Sequence, residues 1–291
     1  MNMHVSLKTA VTTGLLLMVI TLTQAADTLK IHLTYKHKLN ELSQTTGYVT
    51  INQKFFTPGN ILFREINYDE KTSQIVDYTF FFYKNNRLFT EECYDRNDSL
   101  KYIFKHDYDI NGNEVLLSKL VPKSGELYPA EKTVNRFDAT GRIIQQKKYT
   151  GKKVAVLIKF SYNKPGLLIR EIKTFKPLAN RNVKNETREF SYNSVGSISQ
   201  VLIKGRDSSN KAYQLREEYT YNEKKLLAAV NSYSDQNSPK TERSWKYLDS
   251  GVLSIYQESA ENGKLVLLLQ YDYKKHFMDQ GTQISYFAGK E

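Results

Sequence analysis

The sequence predicts an all-β protein, a long antiparallel meander of repeated β-hairpins forming a twisted, folded-over sheet or a soluble barrel-like stack. Three observations carry that expectation. Apolar and aromatic residues alternate at period two in many short runs. The clearest is Val154, Val156, Ile158, Phe160 and Tyr162, which alternation places on one face of a strand. A cassette of an aromatic, turn-tolerant residues, a Gly and then an aliphatic punctuates these runs. Finally, 21 Tyr and 14 Phe stand beside only 6 Pro, a balance suited to pleated, half-buried surfaces, and beyond the N-terminal segment no apolar residues recur at three-four spacing between caps.

In chain order, residues 1–25 read as a signal peptide. Lys8 supplies the positive end, Ala10 to Leu22 the apolar stretch, and Thr23-Gln24-Ala25 the small residues of a cut after Ala25. The stretch is too short for a stable membrane span, so export is expected, to periplasm, cell surface or medium, with no transmembrane helix in the mature chain. Residues 26–54 read as the first strands of the same domain. Leu29, Ile31, Leu33 and Tyr35 alternate, and after a polar loop Tyr48 to Phe56 forms a second strand.

Residues 55–291 read as the hairpin-repeat region. Phe55 and Gly59, Tyr108 and Gly112, Phe137 and Gly141, Tyr162 and Gly166, Tyr192 and Gly196, and Tyr247 and Gly251 each keep an aromatic-to-Gly offset of four, with an aliphatic soon after. The aromatic closes the inward face of one strand, Asp or Asn makes an Asx-type turn, Gly takes the left-handed position, and the aliphatic restarts the inward face. Copies starting at Tyr68, Tyr83, Tyr94 and Tyr221 keep the aromatic and the turn but lose the Gly, and Asn262-Gly263 is a strong hairpin signal. No Pro-, Gly- or Ser-rich linker divides the region.

The Tyr-Asp/Asn-x-x-Gly-x-Leu pattern resembles the YD repeats of the RHS family of exported and surface proteins of bacteria, over roughly Phe55 to Tyr273. The resemblance implies repeat-built β architecture and export. The chain departs from the family in its longer later spacing, in having an Arg after the Gly at Arg142 alone, and in being too short for the family's enclosing shells. Nothing in it resembles a toxin domain.

Candidate chemistry is sparse. Asp107-Tyr108-Asp109-Ile110-Asn111-Gly112 matches the first half of a calcium loop, but the twelfth position is Ser118 where a bidentate carboxylate belongs, so the stretch reads as a hairpin turn. His32, His37, His106 and His276 show no metal-ligand spacing, and His106 is in phase with Tyr102, Phe104 and Tyr108, as a packed histidine would be. Glu91-Glu92 and Glu217-Glu218 are neighbours on strands and point to opposite faces, so neither pair works jointly as acid and base. Cys93 is the sole cysteine, which excludes an intramolecular disulfide and suggests a small packed hydrophobe. No catalytic, cofactor or metal residues are nominated.

The formal charge of +11 and a pI near 9.3 attract polyanions. Lys147-Lys148, Lys152-Lys153, Lys224-Lys225 and Lys274-Lys275, near Tyr149, Tyr221 and Tyr273, suggest a basic, stacking surface. The expected role is non-enzymatic, binding or structural, at the bacterial envelope. Envelope glycans or other polyanions are the expected partners; nucleic acid is not. Two alternatives stand beside it. One is an envelope-directed glycoside hydrolase with carboxylates from separate strands; the other is a small outer-membrane barrel.

Overall fold

The structure, a computed structural model, describes residues 28–277 apart from 41, 43, 58, 177–182, 208 and 235–238. The proposed signal peptide lies outside the described residues. Eighteen strands follow one another along the chain. The first six are β1 Thr28–Leu39, β2 Thr45–Phe56, β3 Leu62–Tyr68, β4 Ile75–Lys84, β5 Arg87–Asp95 and β6 Leu100–Tyr108. Next come β7 Glu114–Lys123, β8 Glu126–Phe137, β9 Ile143–Thr150, β10 Lys153–Tyr162, β11 Leu168–Phe175 and β12 Val183–Tyr192. The last are β13 Ile198–Asp207, β14 Ala212–Tyr221, β15 Leu227–Ser234, β16 Pro239–Tyr247, β17 Leu253–Ala260 and β18 Leu265–Phe277. Each pairs antiparallel with the next, and β18 pairs with β1, so the meander closes into an 18-stranded barrel. A circular ring of this many strands at ordinary spacing and tilt would have a backbone radius of roughly 17–20 Å.

Many of the turns follow one rule. In Asp138–Arg142 the Asp138 N–H donates to the Arg142 carbonyl (2.9 Å), the Gly141 N–H donates back to the Asp138 carbonyl (3.1 Å), and Asp138 Oδ1 accepts the Arg142 N–H (3.0 Å). Asp109, Asn163, Asn193, Asp207 and Asn222 repeat the arrangement. The fourth residue is left-handed in each: Gly112, Gly141, Gly166 and Gly196, but also Asn210 and Lys225, which explains how a copy survives without Gly. Gly251 takes that position in the turn that begins at Leu248.

Gly59 is the exception among the expected glycines. That turn begins at Thr57, whose N–H donates to the Ile61 carbonyl, and the left-handed residue is Asn60 at φ 63°. The cassette is therefore displaced by one residue, so that Phe56 precedes the turn while Phe55 is 1% exposed within the wall.

The pairing register slips by one at Tyr108, Phe137, Tyr162, Tyr192, Tyr221 and Tyr247, so a β-bulge accompanies each cassette aromatic. Another slip lies between Val154 and Val156. Of the five residues expected on one face, Val156, Ile158, Phe160 and Tyr162 share it, and Val154 is displaced by the extra residue Ala155.

Directly paired residues share a face, so the register sorts every side chain onto one of two faces of the wall. The first carries Ile31, Phe55, Ile66, Tyr78, Phe80 and Ile103; the second carries His32, Lys54, Glu65, Asn67 and Asp77 opposite them. From β10 onward the pattern reverses. Val156, Ile158, Val201, Ile203 and Val230 lie on the second face, while Lys159, Arg170, Lys204 and Arg216 lie on the first. In β4–β6 both faces are apolar, since the second also carries Phe81, Cys93, Tyr102 and Phe104, so the apolar side passes gradually from the first face at β1–β3 to the second from β10. Buried side chains gather locally: Ile31, Leu33, Phe55, Phe63 and Ile66 in one cluster, and Ala155, Val156 and Ile158 in another. The first joins β1, β2 and β3; the second lies on β10 and packs against Phe175 of β11.

Candidate functional site

Because even-numbered strands run one way, the turns after them share one rim. That rim holds every cassette turn recognised with a Gly, while the turns after Tyr68 and Tyr94 lie on the opposite rim. This explains why the clear starts come a hairpin apart in the later chain. A tyrosine ladder binds the rim. Tyr108, Tyr162, Tyr192, Tyr221, Tyr247 and Tyr273 donate their phenol protons to the carbonyls of Leu88, Ile143, Leu168, Ile198, Leu227 and Leu253 at 2.6–3.0 Å. Each ties the end of one strand to the start of its predecessor. Burial pushes all six phenols above their ordinary pKa, so they remain donors. Phe137 has no phenol, and Asn135 Nδ2 donates to the Glu114 carbonyl instead, at 2.9 Å. The ladder was missed in the sequence, although its signal was present: six of these positions are Tyr, not Phe.

A basic band crosses the first face from β6 to β10. The register aligns Lys105 with Ser118 and Ser118 with Lys132, then Lys132 with Tyr149, Val134 with Lys147, and both Arg136 and Lys159 with Gln145. Neighbouring cations in this lattice lie roughly 8–10 Å apart. None of Lys105, Lys132, Arg136, Lys147 and Lys159 makes an ion pair among the described residues, and all but Lys147 are exposed. Lys132 Nζ sits 4.6 Å from the Tyr149 ring centroid. Of the lysine doublets, Lys147-Lys148 is divided by the wall: Lys147 faces this band and Lys148 faces the other side. Lys224 and Lys225 sit at a turn, and the side chains of Lys274 and Lys275 lie outside the described residues.

The second face carries charge in paired form. Lys173 lies 3.7 Å from both Glu171 and Glu186, Arg188 lies 3.0 Å from Glu186, and Arg243 lies 2.6 Å from Glu217. Glu217 also accepts the Tyr219 hydroxyl, whose pKa burial and that bond push up to about 12. Glu218 faces away and meets Arg216 at 3.3 Å. Likewise Glu91 and Glu92 diverge, Glu92 accepting the Tyr94 hydroxyl and Glu91 meeting His106. The strand-parity reading of both glutamate pairs holds.

His106 is 6% exposed, and its Nε2 and Nδ1 lie 3.0 Å from Glu91 and 2.8 Å from Glu114. Burial pulls the imidazole pKa down, the two carboxylates outweigh it, and the group lies above its ordinary value. The ring occupies the space between the two glutamates. Asp109, the core of the calcium-loop resemblance, spends Oδ1 on the Asn113 N–H and Oδ2 on the Asn113 amide, as a turn residue does. No group of three or more His, Cys, Asp or Glu fit to hold a metal occurs among the described residues. Cys93 is buried and unbridged.

No protein-family model and no curated protein matches the chain. Among solved structures it is similar to that of TcdB2-TccC3-TEV, with 14% identity and a TM-score of 0.35 over 78% of this chain and 11% of that one. It is similar to a porin-like protein from Bacteroides uniformis, with 12% identity and a TM-score of 0.37 over 85% of this chain and 96% of that one. It is similar as well to a porin-like protein from Bacteroides vulgatus, with 8% identity and a TM-score of 0.32 over 83% and 97% of the two chains.

Proposed function

We propose that this chain is an exported, non-enzymatic β-barrel of the bacterial envelope that binds an acidic glycan along the basic band of β6–β10. The observation that carries the reading is the band itself: five cations without ion pairs, on one face of five consecutive strands, beside the single carboxylate Asp107 on that face. On β11–β16, Arg170, Lys173, Arg188, Lys204, Arg216 and Arg243 pair with glutamates, and such pairs offer little to an incoming polyanion. The one ring within the band, Tyr149, is already covered by Lys132, so no open aromatic platform awaits a nucleobase. A glycan bearing carboxylates or sulfates needs spaced cations rather than such platforms. The imidazole lodged between Glu91 and Glu114 favours a structural role for that cluster over glycoside hydrolysis.

The test uses heparin as the probe, with the purified protein and a variant carrying Lys132→Glu, Lys147→Glu and Lys159→Glu. Retention on heparin that weakens steeply with salt and is lost in the variant is the expected result. Retention unchanged by the three substitutions, or single-stranded DNA competing better than heparin at equal charge, would sink the glycan reading.

A further inference from the structure

At several junctions of the cassette rim, the residue after the left-handed position leans against the next turn. Arg87 lies against Gly112 and over the Tyr108 ring, 5.6 Å from its centroid. Arg142 lies 3.3 Å from the point where a Cβ on Gly166 would stand, and 4.9 Å from the Tyr162 centroid. Arg142 is also held from behind, its Nε and Nη2 each 2.7 Å from Asp138 Oδ2. Carboxylate, guanidinium and aromatic ring thus form a three-layer stack.

Between these two junctions lies one that has the outer layers without the middle one. Asp109 stands where Asp138 stands, and Phe137 stands where Tyr162 stands. The intervening residue is Asn113, too short to reach the ring. Its Oδ1 comes within 3.6 Å of a Cβ position on Gly141, so it points along the path that Arg142 takes toward Gly166. No cation lies over Phe137 among the described residues. A cavity of about 670 Å³ opens there, lined by Asp109, Asn111, Asn113, Arg136, Phe137 and Asp138 among others. Junctions further round place Leu167, Ser197, Leu226 or Val252 at the equivalent position, opposite a tethered tyrosine.

We infer that the cavity between Asp109 and Phe137 is a receptor for an arginine side chain presented by a partner polypeptide. The fold displays the ring contact on both sides with its own arginines, and the complete stack, carboxylate included, at Arg142. The planar guanidinium would stack on Phe137 and direct N–H groups at the Asp109 carboxylate, which the Asn113 side chain and backbone hold ionised. The ligand is cationic, and the two carboxylates Asp109 and Asp138 outnumber Arg136, the residue of the basic band that also lines the cavity.

N-acetyl-arginine amide is the probe, titrated into the purified protein by calorimetry, with the neutral N-acetyl-citrulline amide as its isostere. Arginine amide should bind in preference to citrulline amide, by about tenfold on the strength of a desolvated cation–π contact and a charge-assisted bond. Asp109→Asn and Phe137→Ala should each weaken it severalfold. Asn113→Arg copies the neighbouring junction; it should abolish binding by filling the cavity and raise the melting temperature. Equal binding of arginine and citrulline amides, no binding at millimolar probe, or binding undiminished in Asn113→Arg or Asp109→Asn would each overturn the proposal.

Discussion

At the scale of single residues, the cassette is more than a turn signal. Its aromatic is a tether, and its Gly leaves room for a side chain from the previous turn. Replacing Tyr192 by Phe removes one phenol–carbonyl bond of 2.6 Å while keeping the ring, so stability should fall by roughly 0.5–1.5 kcal/mol, read as a shift in the urea midpoint. An unchanged midpoint would show that water takes over the Leu168 carbonyl without loss. Gly112 and Gly196 have left-handed φ of 87° and 83°, and an Ala at either costs about 1–2 kcal/mol from backbone strain. Nothing lies within 4 Å of a Cβ at Gly196, whereas at Gly112 it meets the Arg87 guanidinium. Gly112→Ala should therefore cost more by roughly 0.5–1 kcal/mol, the worth of the displaced Arg87–Tyr108 contact. In an Arg87→Ala background the two alanine substitutions should become equivalent; a persisting gap would count against this account. The residue types of the cassette were legible in the sequence because Asx turns and left-handed positions are chosen by local chemistry. The frame error at Phe55 arose because Thr57-Pro58-Gly59-Asn60 offers two residues that accept positive φ, and local chemistry does not rank Gly above Asn there. The tethers were not legible, because a phenol's partner sits 19–24 residues away across a register that only pairing defines.

At the scale of strands, alternation located most of the strands but not the faces they share. Bulges at Val154/Val156 and at the cassette aromatics reset the parity, and a bulge leaves no mark in a hydrophobicity pattern that is apolar on both sides of it. The parity arguments survived where no bulge intervenes, as for Glu91-Glu92 and Glu217-Glu218. The His106 cluster shows what parity misses: the histidine was read as packed, yet Glu91 from β5 and Glu114 from β7 clamp it from both sides. This cluster makes a pH prediction for three strands at once. The folded-state pKa of His106 is raised above its unfolded value, so its stabilisation is fully present below about pH 6.5 and is lost as pH rises through the folded pKa. The stability difference between the wild type and His106→Gln should shrink from pH 6 to pH 9 by urea denaturation. A difference constant over that range would mean that the imidazole serves there by shape and hydrogen bonding alone.

For the whole molecule, closure is the feature that the sequence left open between a folded-over sheet and a barrel, since it depends on β1 meeting β18 across more than two hundred residues. Closure also sharpens the question of lipid. Strands of 7–13 residues are mostly long enough to cross a bilayer, so length decides nothing. Charge does. A membrane barrel must turn one face to hydrocarbon, and here each candidate face fails over the same arc. With the first face outward, Lys159, Lys204 and Arg216 would meet lipid; with the second outward, Arg188, Glu217 and Arg243 would. Each cation near the midplane costs about 2–4 kcal/mol, and ion pairing along the second face offsets part of that without supplying an apolar belt. Neither face is apolar all the way round, since both carry charge between β10 and β16. The protein should therefore leave host membranes on washing with high salt or alkaline carbonate, and its migration in detergent gels should not depend on heating. Retention through both washes together with heat-modifiable migration would show that lipid accommodates this charged arc, and the basic band would then have to be reread as the wall of a channel.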